Sequence, residues 1–488
     1  MNVEIDYKSK GFRNNGEINQ LAANGTFFNN SQFFPSIGYN ADFELNDKSK
    51  RKKNGLAEKA ELPPPDDMKA RMNNYISHDA DWITFETTIS TSPDQIAIAP
   101  GYLQKEWIEN GRRYFEYKMG DTKILNFFSF MSGRYEVKRD KWNDVNIEIY
   151  YHKAHPYNVD RMIESTKKGL EYFSKSFSPY QHKQFRIIEF PRYASFAQAF
   201  PNTIPYSEAI GFIAKIDEDD DIDFPFYVTA HELAHQWWAH QVIGGDVQGS
   251  TILSETLAQY SALMLLEKEY GKENIRKYLK YELDQYLRGR TAEEKKENPI
   301  GLVQNQPYIH YQKGSLVMYA LKDYIGEEAV NNALKLFISS VAYQEPPYAS
   351  SLELIKCLKE ATPLDLQYLI TDLFETITLF ENKAIEATYT QTPDGKYLVK
   401  LKVQAKKLRA DGEGTEKPIE INDLIDIGVF VGEKKTQKEL HLQKYKIDKE
   451  EQIFEITVDE VPTRAGIDPY NKLIDRNSDD NTVEVKKA

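Results

Sequence analysis

Hydrophobic and polar residues alternate repeatedly along the first third of the chain. Val3, Ile5 and Tyr7 alternate with polar residues, as in a half-buried strand. Four later stretches are rich in β-branched and aromatic residues, and we predict strands there: Trp82–Ile89, Tyr114–Met119, Ile124–Phe130 and Val145–His152. The basic run Lys48–Lys53 interrupts this pattern, and we expect it to be a solvated loop.

The middle of the chain has helical spacing instead. Two short strands are predicted first, at Phe185–Phe190 and Ile210–Ile216. Apolar residues three and four positions apart then predict four helices, at Phe226–Val242, Ile252–Tyr270, Lys313–Ile325 and Ser350–Leu358. The charged stretch Arg290–Asn298 is expected to be an exposed loop between helices.

Strand patterns return near the C-terminus. Apolar residues from Val399 to Ala405 alternate with polar ones after the turn residues Pro393–Gly395, and Ile427–Val431 adds another strand. The polar last residues are expected to be disordered. We therefore predict a multidomain α+β chain. Its parts are an N-terminal β domain (1–155), a mainly helical domain (156–382), a C-terminal β-sandwich-like domain (383–475) and a tail (476–488).

The composition of the chain limits the classes of molecule that it can bind and the kinds of site that it can contain. A chain of 488 residues exceeds the usual size of one hydrophobic core. Its 62 basic and 75 acidic residues leave a net charge of −13, which argues against nucleic acid or an anionic membrane as partner. Cys357 is the one cysteine, which excludes an intrachain disulfide and a thiolate zinc cluster. No apolar run approaches the length of a membrane span.

The most informative motif is H-E-x-x-H at residues 231–235. On a helix, His231 and His235 lie on one face about 6 Å apart, so that both imidazoles can bind one metal ion. Glu232 is placed to act on a water molecule at the same ion, as a general base. Asp223 and Pro225 provide a cap and a proline at the predicted start of this helix. The motif predicts one zinc ion per chain.

A third ligand is needed to complete the site. His240 follows His235 by five residues, which places it on another face of the helix, so we expect it to surround the site or lie at the surface. Glu255 is the better candidate. We expect Gly244 and Gly245 to end the first helix and a second, antiparallel helix to present Glu255 in its first turns.

These motifs resemble those of the gluzincin zinc aminopeptidases, of the aminopeptidase N and leukotriene-hydrolase type. The similarity lies in His231–Trp238, in Ser254–Ala258 and in Tyr311–Gly314, which matches the family's Tyr-x-Lys-Gly. The segment Ser207–Ile213 is similar to the family's G-A-M-E-N element. The resemblance implies a thermolysin-like catalytic domain at 156–382 and peptides as substrates.

The resemblance also implies roles for two further residues. Tyr311 would donate to the oxyanion formed during catalysis, with Tyr308 and His310 as fallback candidates. Glu208 would bind the free α-amine of the substrate, which makes a peptidase remove N-terminal residues. The neighbours of Glu208 depart from the family pattern, and Phe27 stands where a second amine-binding residue is expected. These departures put exopeptidase specificity in doubt.

One bacterial variant of the family is especially similar. In it, such a peptidase forms the C-terminal part of an ABC-transporter-like permease. The similarity lies in Asn24–Phe28, Phe33–Tyr39 and Gly466–Tyr470. It implies that this chain is the extramembrane domain of a longer membrane protein, which would explain a sequence that opens within a strand. The sequence does not indicate a cellular compartment.

Two alternative functions remain open. The chain could be a zinc-binding module of a transporter that has lost peptidase activity, although a binder needs neither Glu232 nor Tyr311. It could also be an endopeptidase, or an epoxide-type hydrolase, on the same zinc site. We predict a zinc metallopeptidase, and within that class an aminopeptidase.

Overall fold

The computed structural model describes residues 21–34, 44–77, 81–217, 222–432 and 437–488. The predicted strand at Val3–Tyr7 and the segment Pro35–Tyr39 lie outside these residues. The chain divides into two compact units. The first comprises residues 1–265 and 331–357, and the second comprises residues 266–330 and 358–488. The predicted order of strands, then mainly helices, then strands is confirmed.

The N-terminal part of the first unit consists of short antiparallel sheets. The predicted strands are present with modified ends, because the first and third are each interrupted by irregular residues. The strands up to residue 151 are Thr26–Asn29, Trp82–Ile83, Glu86–Thr91, Ile96–Ile98, Tyr102–Glu109, Arg112–Lys118, Ile124–Leu125, Ser129–Gly133, Glu136–Trp142 and Val145–Tyr151. Buried aromatic and aliphatic side chains, including Phe85, Phe115 and Phe128, form the core between them.

The basic run is a helix rather than the predicted loop. Lys48–Lys53 forms about one and a half helical turns, and the side chain of Asp47 accepts a hydrogen bond from the Lys50 amide at 2.7 Å. None of its residues is buried. The predicted exposure of this segment to solvent is confirmed. The predicted absence of regular structure is wrong, because Asp47 caps the start of a short helix.

A four-stranded mixed sheet connects this β region to the helices of the first unit. Its order is Thr203–Ser207, Gln184–Phe190, Val145–Tyr151 and Glu136–Trp142, with the first three strands parallel. The predicted strand Ile210–Ile216 is wrong. Those residues form turns, and Asn158 Nδ2 donates to the carbonyls of Gly211 and Ala214 at 2.6 and 2.9 Å. Pro205 is tolerated in the sheet because its strand lies at the edge.

The helices confirm the predicted periodicity better than the predicted ends. Those of the described chain are Asn30–Phe33, Lys48–Lys53, Val159–Ser176, Phe224–Ala234, Glu255–Tyr270, Ile275–Ala292, Gly314–Ile325, Glu327–Val341, Ser351–Ala361 and Tyr368–Ile370. A π-helical segment, Tyr308–Lys313, precedes Gly314–Ile325. In the described residues no helix combines the length and the apolar character needed to cross a lipid bilayer.

The helix that carries the H-E-x-x-H motif ends at Ala234, eight residues before the predicted end. Trp237 and Trp238 are fully buried, and their indole N–H groups donate to acceptors on different elements, Ser178 O at 2.8 Å and Ser261 Oγ at 3.0 Å. Ala239 has φ of 150°, which no helical residue adopts. The burial of these two large side chains therefore determines where the helix stops.

In the second unit, the charged stretch Arg290–Asn298 is not an exposed loop throughout. Its first residues belong to the helix Ile275–Ala292, and Glu297 is only 3% exposed. The Glu297 carboxylate accepts hydrogen bonds from Tyr286 Oη and Arg290 Nε at 2.7 Å and from Lys313 Nζ at 3.0 Å. The prediction failed because three donors, two of them outside this stretch, compensate the buried charge.

The C-terminal part of the second unit is one curled sheet, where a β-sandwich-like domain was predicted. Its order is Glu416–Ile419, Tyr397–Ala410, Ile377–Gln391, Thr482–Lys487, Arg464–Ile467, Asp423–Val431 and Lys438–Ile447, and Glu451–Val458 also pairs with Tyr397–Ala410. The predicted inward residues Val399, Leu401, Val403 and Ala405 are at most 1% exposed.

The predicted disordered tail is wrong as well. Within residues 476–488, Thr482–Lys487 forms a strand between Ile377–Gln391 and Arg464–Ile467. Val485 is buried in the core of the sheet, so an apolar side chain among charged residues marks this strand. The domain boundaries at 155, 382 and 475 stay predictions.

Candidate metal centre

The first helix of the site, Phe224–Ala234, begins as predicted. The Asp223 side chain accepts a hydrogen bond from the Phe226 amide at 3.0 Å, and Pro225 occupies the first turn, where its missing N–H costs nothing. The helix is apolar and buried over most of its surface. His231 and His235 lie at its C-terminal end, one turn apart.

The second helix, Glu255–Tyr270, presents Glu255 in its first turn, also as predicted. Its start differs from the prediction in detail. A short 3₁₀ segment, Ser250–Leu253, precedes it, and Ser250 Oγ donates to the Gly245 carbonyl. Gly249 has a positive φ of 79°, a backbone conformation that favours glycine, and so reverses the chain before the second helix.

Three potential ligand atoms converge between the two helices. The Nε2 atoms of His231 and His235 are 3.0 Å apart. Glu255 Oε2 lies 3.4 Å from His231 Nε2 and 3.2 Å from His235 Nε2. Zinc–ligand bonds of about 2.0–2.1 Å in a tetrahedral site place ligand atoms about 3.3 Å from one another. The three distances match that spacing, so the donor set fits zinc.

The hydrogen bonds around His235 orient its free lone pair towards the other two ligand atoms. His235 Nδ1 lies 2.9 Å from the Trp238 carbonyl oxygen, which can only accept, so Nδ1 carries the proton. Once Nε2 has lost its proton, the imidazole presents the lone pair of that atom to the site. A carbonyl acceptor on the outer nitrogen is the usual arrangement for a histidine that ligates a metal.

Burial and charge control the ionisation of the site. Burial opposes the charge on Glu255, but His235 and then His231 hold the pKa of this carboxyl well below its ordinary value. Burial also opposes the charge on His235, but the Glu255 carboxylate outweighs it and raises the pKa of His235 to about 9. Without a cation, the cluster thus retains protons that a metal ion would displace.

Glu232 lies beside this cluster but is not part of it. The residue is buried, and its Oε2 has no hydrogen-bond partner among the described residues. Burial raises the pKa of Glu232 to about 7, although the charge of His235 acts in the opposite direction. A carboxyl group with this pKa can accept and release a proton near neutral pH.

Glu208 belongs to a second cluster, with His155 and Glu189. Its Oε1 accepts a hydrogen bond from the Arg192 amide at 3.1 Å and lies 3.7 Å from Arg192 Nε, while its Oε2 lies 3.8 Å from His155 Nδ1. Glu189 accepts hydrogen bonds from His155 Nδ1 and from the amide of His152. We call His155, Glu189 and Glu208 the second cluster.

Sequence reasoning did not find His155 or Glu189. Glu189 offered a signal, since it is a carboxylate between the apolar residues Ile188 and Phe190. His240 is buried, not at the surface, and its Nε2 donates to the Ala199 carbonyl at 3.0 Å. Tyr311 lies in the π-helical segment of the second unit, where Tyr308 and His310 are buried. The roles predicted for Tyr311 and Glu208 stay predictions.

Comparison with known proteins identifies the fold around the metal centre. The profile of the peptidase family M1 domain matches residues 161–374, which include both ligand helices and Tyr311. The chain carries a peptidase family M1 domain. Zinc is the cofactor expected for this domain, in agreement with the donor set described above. The predicted resemblance to the gluzincin aminopeptidases is confirmed for this part of the chain.

Named aminopeptidases are similar to part of this chain. Endoplasmic reticulum aminopeptidase 2 of Homo sapiens is 24% identical over 208 residues, 41% of this chain and 22% of the relative. Probable aminopeptidase 1 of Sulfurisphaera tokodaii is 24% identical over 224 residues, 43% of this chain and 27% of the relative. The matched region thus spans about a quarter of each of these curated relatives.

A solved structure supports the fold assignment. Aminopeptidase A of Legionella pneumophila, in complex with aspartic acid, superposes with a TM-score of 0.53 and 17% sequence identity. The superposition covers 84% of this chain and 45% of that structure. At this identity the similarity concerns the fold alone.

Proposed function

We propose that this chain is a zinc-dependent aminopeptidase, with zinc held by His231, His235 and Glu255. The observation that supports this proposal most is the spacing of 3.0 to 3.4 Å between the three potential ligand atoms. A zinc ion in this position supplies Lewis-acid chemistry, which acidifies water and polarises a peptide carbonyl. Aminopeptidases among the similar proteins support peptides as the substrate class.

Glu232 is the general base in this proposal. It takes a proton from the attacking water molecule and passes it to the leaving amine. Its burial keeps bulk water away from the carboxylate, and its pKa of about 7 suits both steps at neutral pH. Tyr311 is the proposed donor to the oxyanion, on the strength of its Tyr-x-Lys-Gly motif.

Glu208 is the proposed anchor for the substrate's α-amine. Its side chain is 15% exposed, and the Arg192 side chain next to it is 69% exposed. An incoming ammonium group has to compete with Arg192 for the Glu208 carboxylate. Because that arginine is mostly solvated, its ion pair with Glu208 is weak and can be exchanged for the amine at small cost.

An endopeptidase is the second candidate, and one observation favours it. Glu208 already accepts a backbone hydrogen bond from Arg192 and lies near His155, so an amine is not needed to satisfy it. An enzyme that ignores the α-amine would cleave blocked and free peptides equally well.

A permease tether is a further proposal about partners. It is supported by the resemblance of Asn24–Phe28 and Gly466–Tyr470 to the permease-fused variant. Gly466 lies in the strand Arg464–Ile467, and an added Cβ would lie 2.1 Å from the Asn481 carbonyl oxygen. The fold therefore requires a glycine at this position, whether or not the chain is tethered to a permease. Sequencing the gene on both sides of this segment tests the tether.

The test of the proposed activity is cleavage of a small library of peptides and aminoacyl amides by the zinc-loaded chain. Each substrate is supplied with a free and with an N-acetylated amine, and Glu232→Gln is the matched control. We expect release of N-terminal residues from the free substrates only. A zinc-loaded protein that cleaves none of them would contradict the peptidase proposal and favour a zinc-binding module.

A further inference from the structure

The loop between the two ligand helices is held by a segment far upstream, residues 62–77, which we call the strap. The Gln248 amide donates to the Pro63 carbonyl at 2.8 Å, and the Asp246 amide donates to the Asn73 carbonyl at 2.8 Å. The Tyr75 amide donates to the Gly244 carbonyl at 3.3 Å. Backbone hydrogen bonds thus fix the strap against residues 244–248 at both of its ends.

Arg71 fastens the middle of the strap to the rest of the first unit. Arg71 is only 7% exposed. Its Nε donates to the Tyr348 carbonyl, and the Tyr348 amide donates to the Arg71 carbonyl, both at 2.7 Å. Its guanidinium group also pairs with Glu353. A Cβ at Gly245 would lie 3.0 Å from Arg71 Cα, so the strap and the loop are in close contact.

The strap ends in a hydrogen bond beside a proposed zinc ligand. Tyr75 Oη is hydrogen-bonded to Ser254 Oγ, and Ser254 immediately precedes Glu255. Ser254 Oγ donates to the Thr251 carbonyl at 3.3 Å, so Tyr75 is the donor in its own pair with Ser254. The Ser254 carbonyl accepts the Ala258 amide at 2.9 Å, which is a hydrogen bond of the first turn of the second ligand helix.

We propose that Tyr75 is a positioning residue for the zinc ligand Glu255. Its hydroxyl group holds Ser254 and thereby fixes the first turn of the second ligand helix relative to His231 and His235. The proposal rests on the proposed zinc site. Outer groups that orient metal ligands commonly contribute about 10- to 100-fold to metal affinity.

The nearby charge is consistent with this role. Burial, and then the Glu255 carboxylate, raise the pKa of Tyr75, so its hydroxyl group stays protonated and remains a donor. Removing the hydroxyl leaves Ser254 without this donor and allows the first helical turn to shift. The three ligand atoms are then no longer held at a spacing of about 3.3 Å, the value for a tetrahedral zinc site.

The test is the zinc dissociation constant of the full chain, measured by competition with a chelator. Tyr75→Phe and Ser254→Ala remove the hydrogen bond from opposite sides, and the double variant combines them. Tyr348→Phe is the matched control, because it removes a buried hydroxyl group that donates to Asp81 Oδ1 at 2.8 Å, in a residue whose backbone amide donates to the Arg71 carbonyl of the strap. Thermal unfolding of the zinc-free proteins monitors folding.

We expect Tyr75→Phe and Ser254→Ala each to weaken zinc binding by about 10- to 100-fold. The double variant should be no weaker than the poorer single variant, and Tyr348→Phe should stay within about twofold of wild type. Wild-type affinity in both Tyr75→Phe and Ser254→Ala, or an equal loss in Tyr348→Phe, would overturn the positioning role. Wild-type protein that binds no zinc would instead overturn the zinc site itself.

Discussion

The first unit contains two clusters that look alike in composition and differ in their hydrogen bonds. The metal centre (His231, His235, Glu255) and the second cluster (His155, Glu189, Glu208) each combine histidine and glutamate from separate elements. In the second cluster, N–H groups of the protein satisfy the carboxylates. In the metal centre, Glu255 Oε2 is buried without a hydrogen bond of good geometry.

The direction of the histidine protons explains this difference. His235 donates outwards from Nδ1 to the Trp238 carbonyl, so that the lone pair of Nε2 faces the other ligand atoms. His155 directs Nδ1 inwards, to the Glu189 carboxylate. A cation in the second cluster would have to displace that hydrogen bond. A cluster of ligand-type side chains is therefore a metal site only when its lone pairs converge without protein donors between them.

The largest difference between the two clusters is expected when Glu232, the proposed base beside the metal centre, is replaced. Glu232→Gln should lower turnover by at least about 10³-fold, because an amide cannot accept the proton of water. Zinc content should not change, since Glu232 is not a ligand. Peptide hydrolysis and metal analysis of the same sample measure both quantities.

Glu189→Gln is the matched control, since it also replaces a buried glutamate by its amide. It should lower turnover by less than about 10-fold, because it lies outside the metal centre. Equal losses in Glu232→Gln and Glu189→Gln would mean that the two clusters act in the same step, and the contrast between them would fail.

Tyr311→Phe tests the oxyanion role that the family resemblance implies for Tyr311. We expect a loss of about 10²–10³ in turnover with little change in KM, because the hydroxyl group acts on charge that develops in the transition state. Steady-state kinetics separate the two parameters. A raised KM with normal turnover would assign Tyr311 to substrate binding instead.

A pH dependence of stability should come from the second cluster. Burial raises the pKa of Glu189 to about 7 in the folded chain, from an ordinary value near 4.5. A raised carboxyl pKa stabilises the fold below the unfolded value, and this stabilisation is lost as the pH rises through the folded value. Between pH 4.5 and pH 7, wild type should lose on the order of 3 kcal/mol relative to Glu189→Gln.

Denaturant unfolding of the two proteins at several pH values measures this difference. The comparison with Glu189→Gln removes contributions from groups that both chains share, including the metal centre. If the free energies of unfolding of the two proteins changed in parallel with pH, Glu189 would have its ordinary pKa in the folded chain, which would contradict this prediction.

The smallest effect concerns substrate selection by Glu208. A hydrogen bond between charged groups contributes about 1.5–3 kcal/mol, so wild type should prefer free over N-acetylated peptides by about 10- to 100-fold. We expect the lower end, because Phe27 is buried among aromatic rings and provides no second polar partner. Glu208→Ala should equalise the two substrates by weakening the free one. Equal cleavage by wild type would favour an endopeptidase.

The convergence of the three potential ligands was predictable because these residues lie close together in the chain. His231 and His235 share one helical face, and the reversal to Glu255 takes twenty residues, so local spacing and helix-ending signals were sufficient. The ends of that helix were less predictable. Trp237 and Trp238 stop it through contacts with residues distant in sequence, and periodicity alone carries no information about such contacts.

Long-range pairs account for most of what the sequence did not indicate. His155 and Glu189 are 34 positions apart, and Tyr75 and Ser254 are 179 positions apart. No spacing rule connects such residues. The strand Thr482–Lys487 is a different case, because Val483 and Val485 alternate with polar residues and the pattern was readable. The charged residues around these two valines led to the prediction of disorder instead.

The most direct test of the central claim is the zinc content of three purified proteins, measured by inductively coupled plasma mass spectrometry. These are wild type, His231→Ala combined with His235→Ala, and Glu189→Gln combined with Glu208→Gln. We expect about one zinc ion per chain in wild type and in the glutamine variant, and almost none in the alanine variant. Full zinc in the alanine variant, or its loss from the glutamine variant alone, would contradict the assignment of the metal centre.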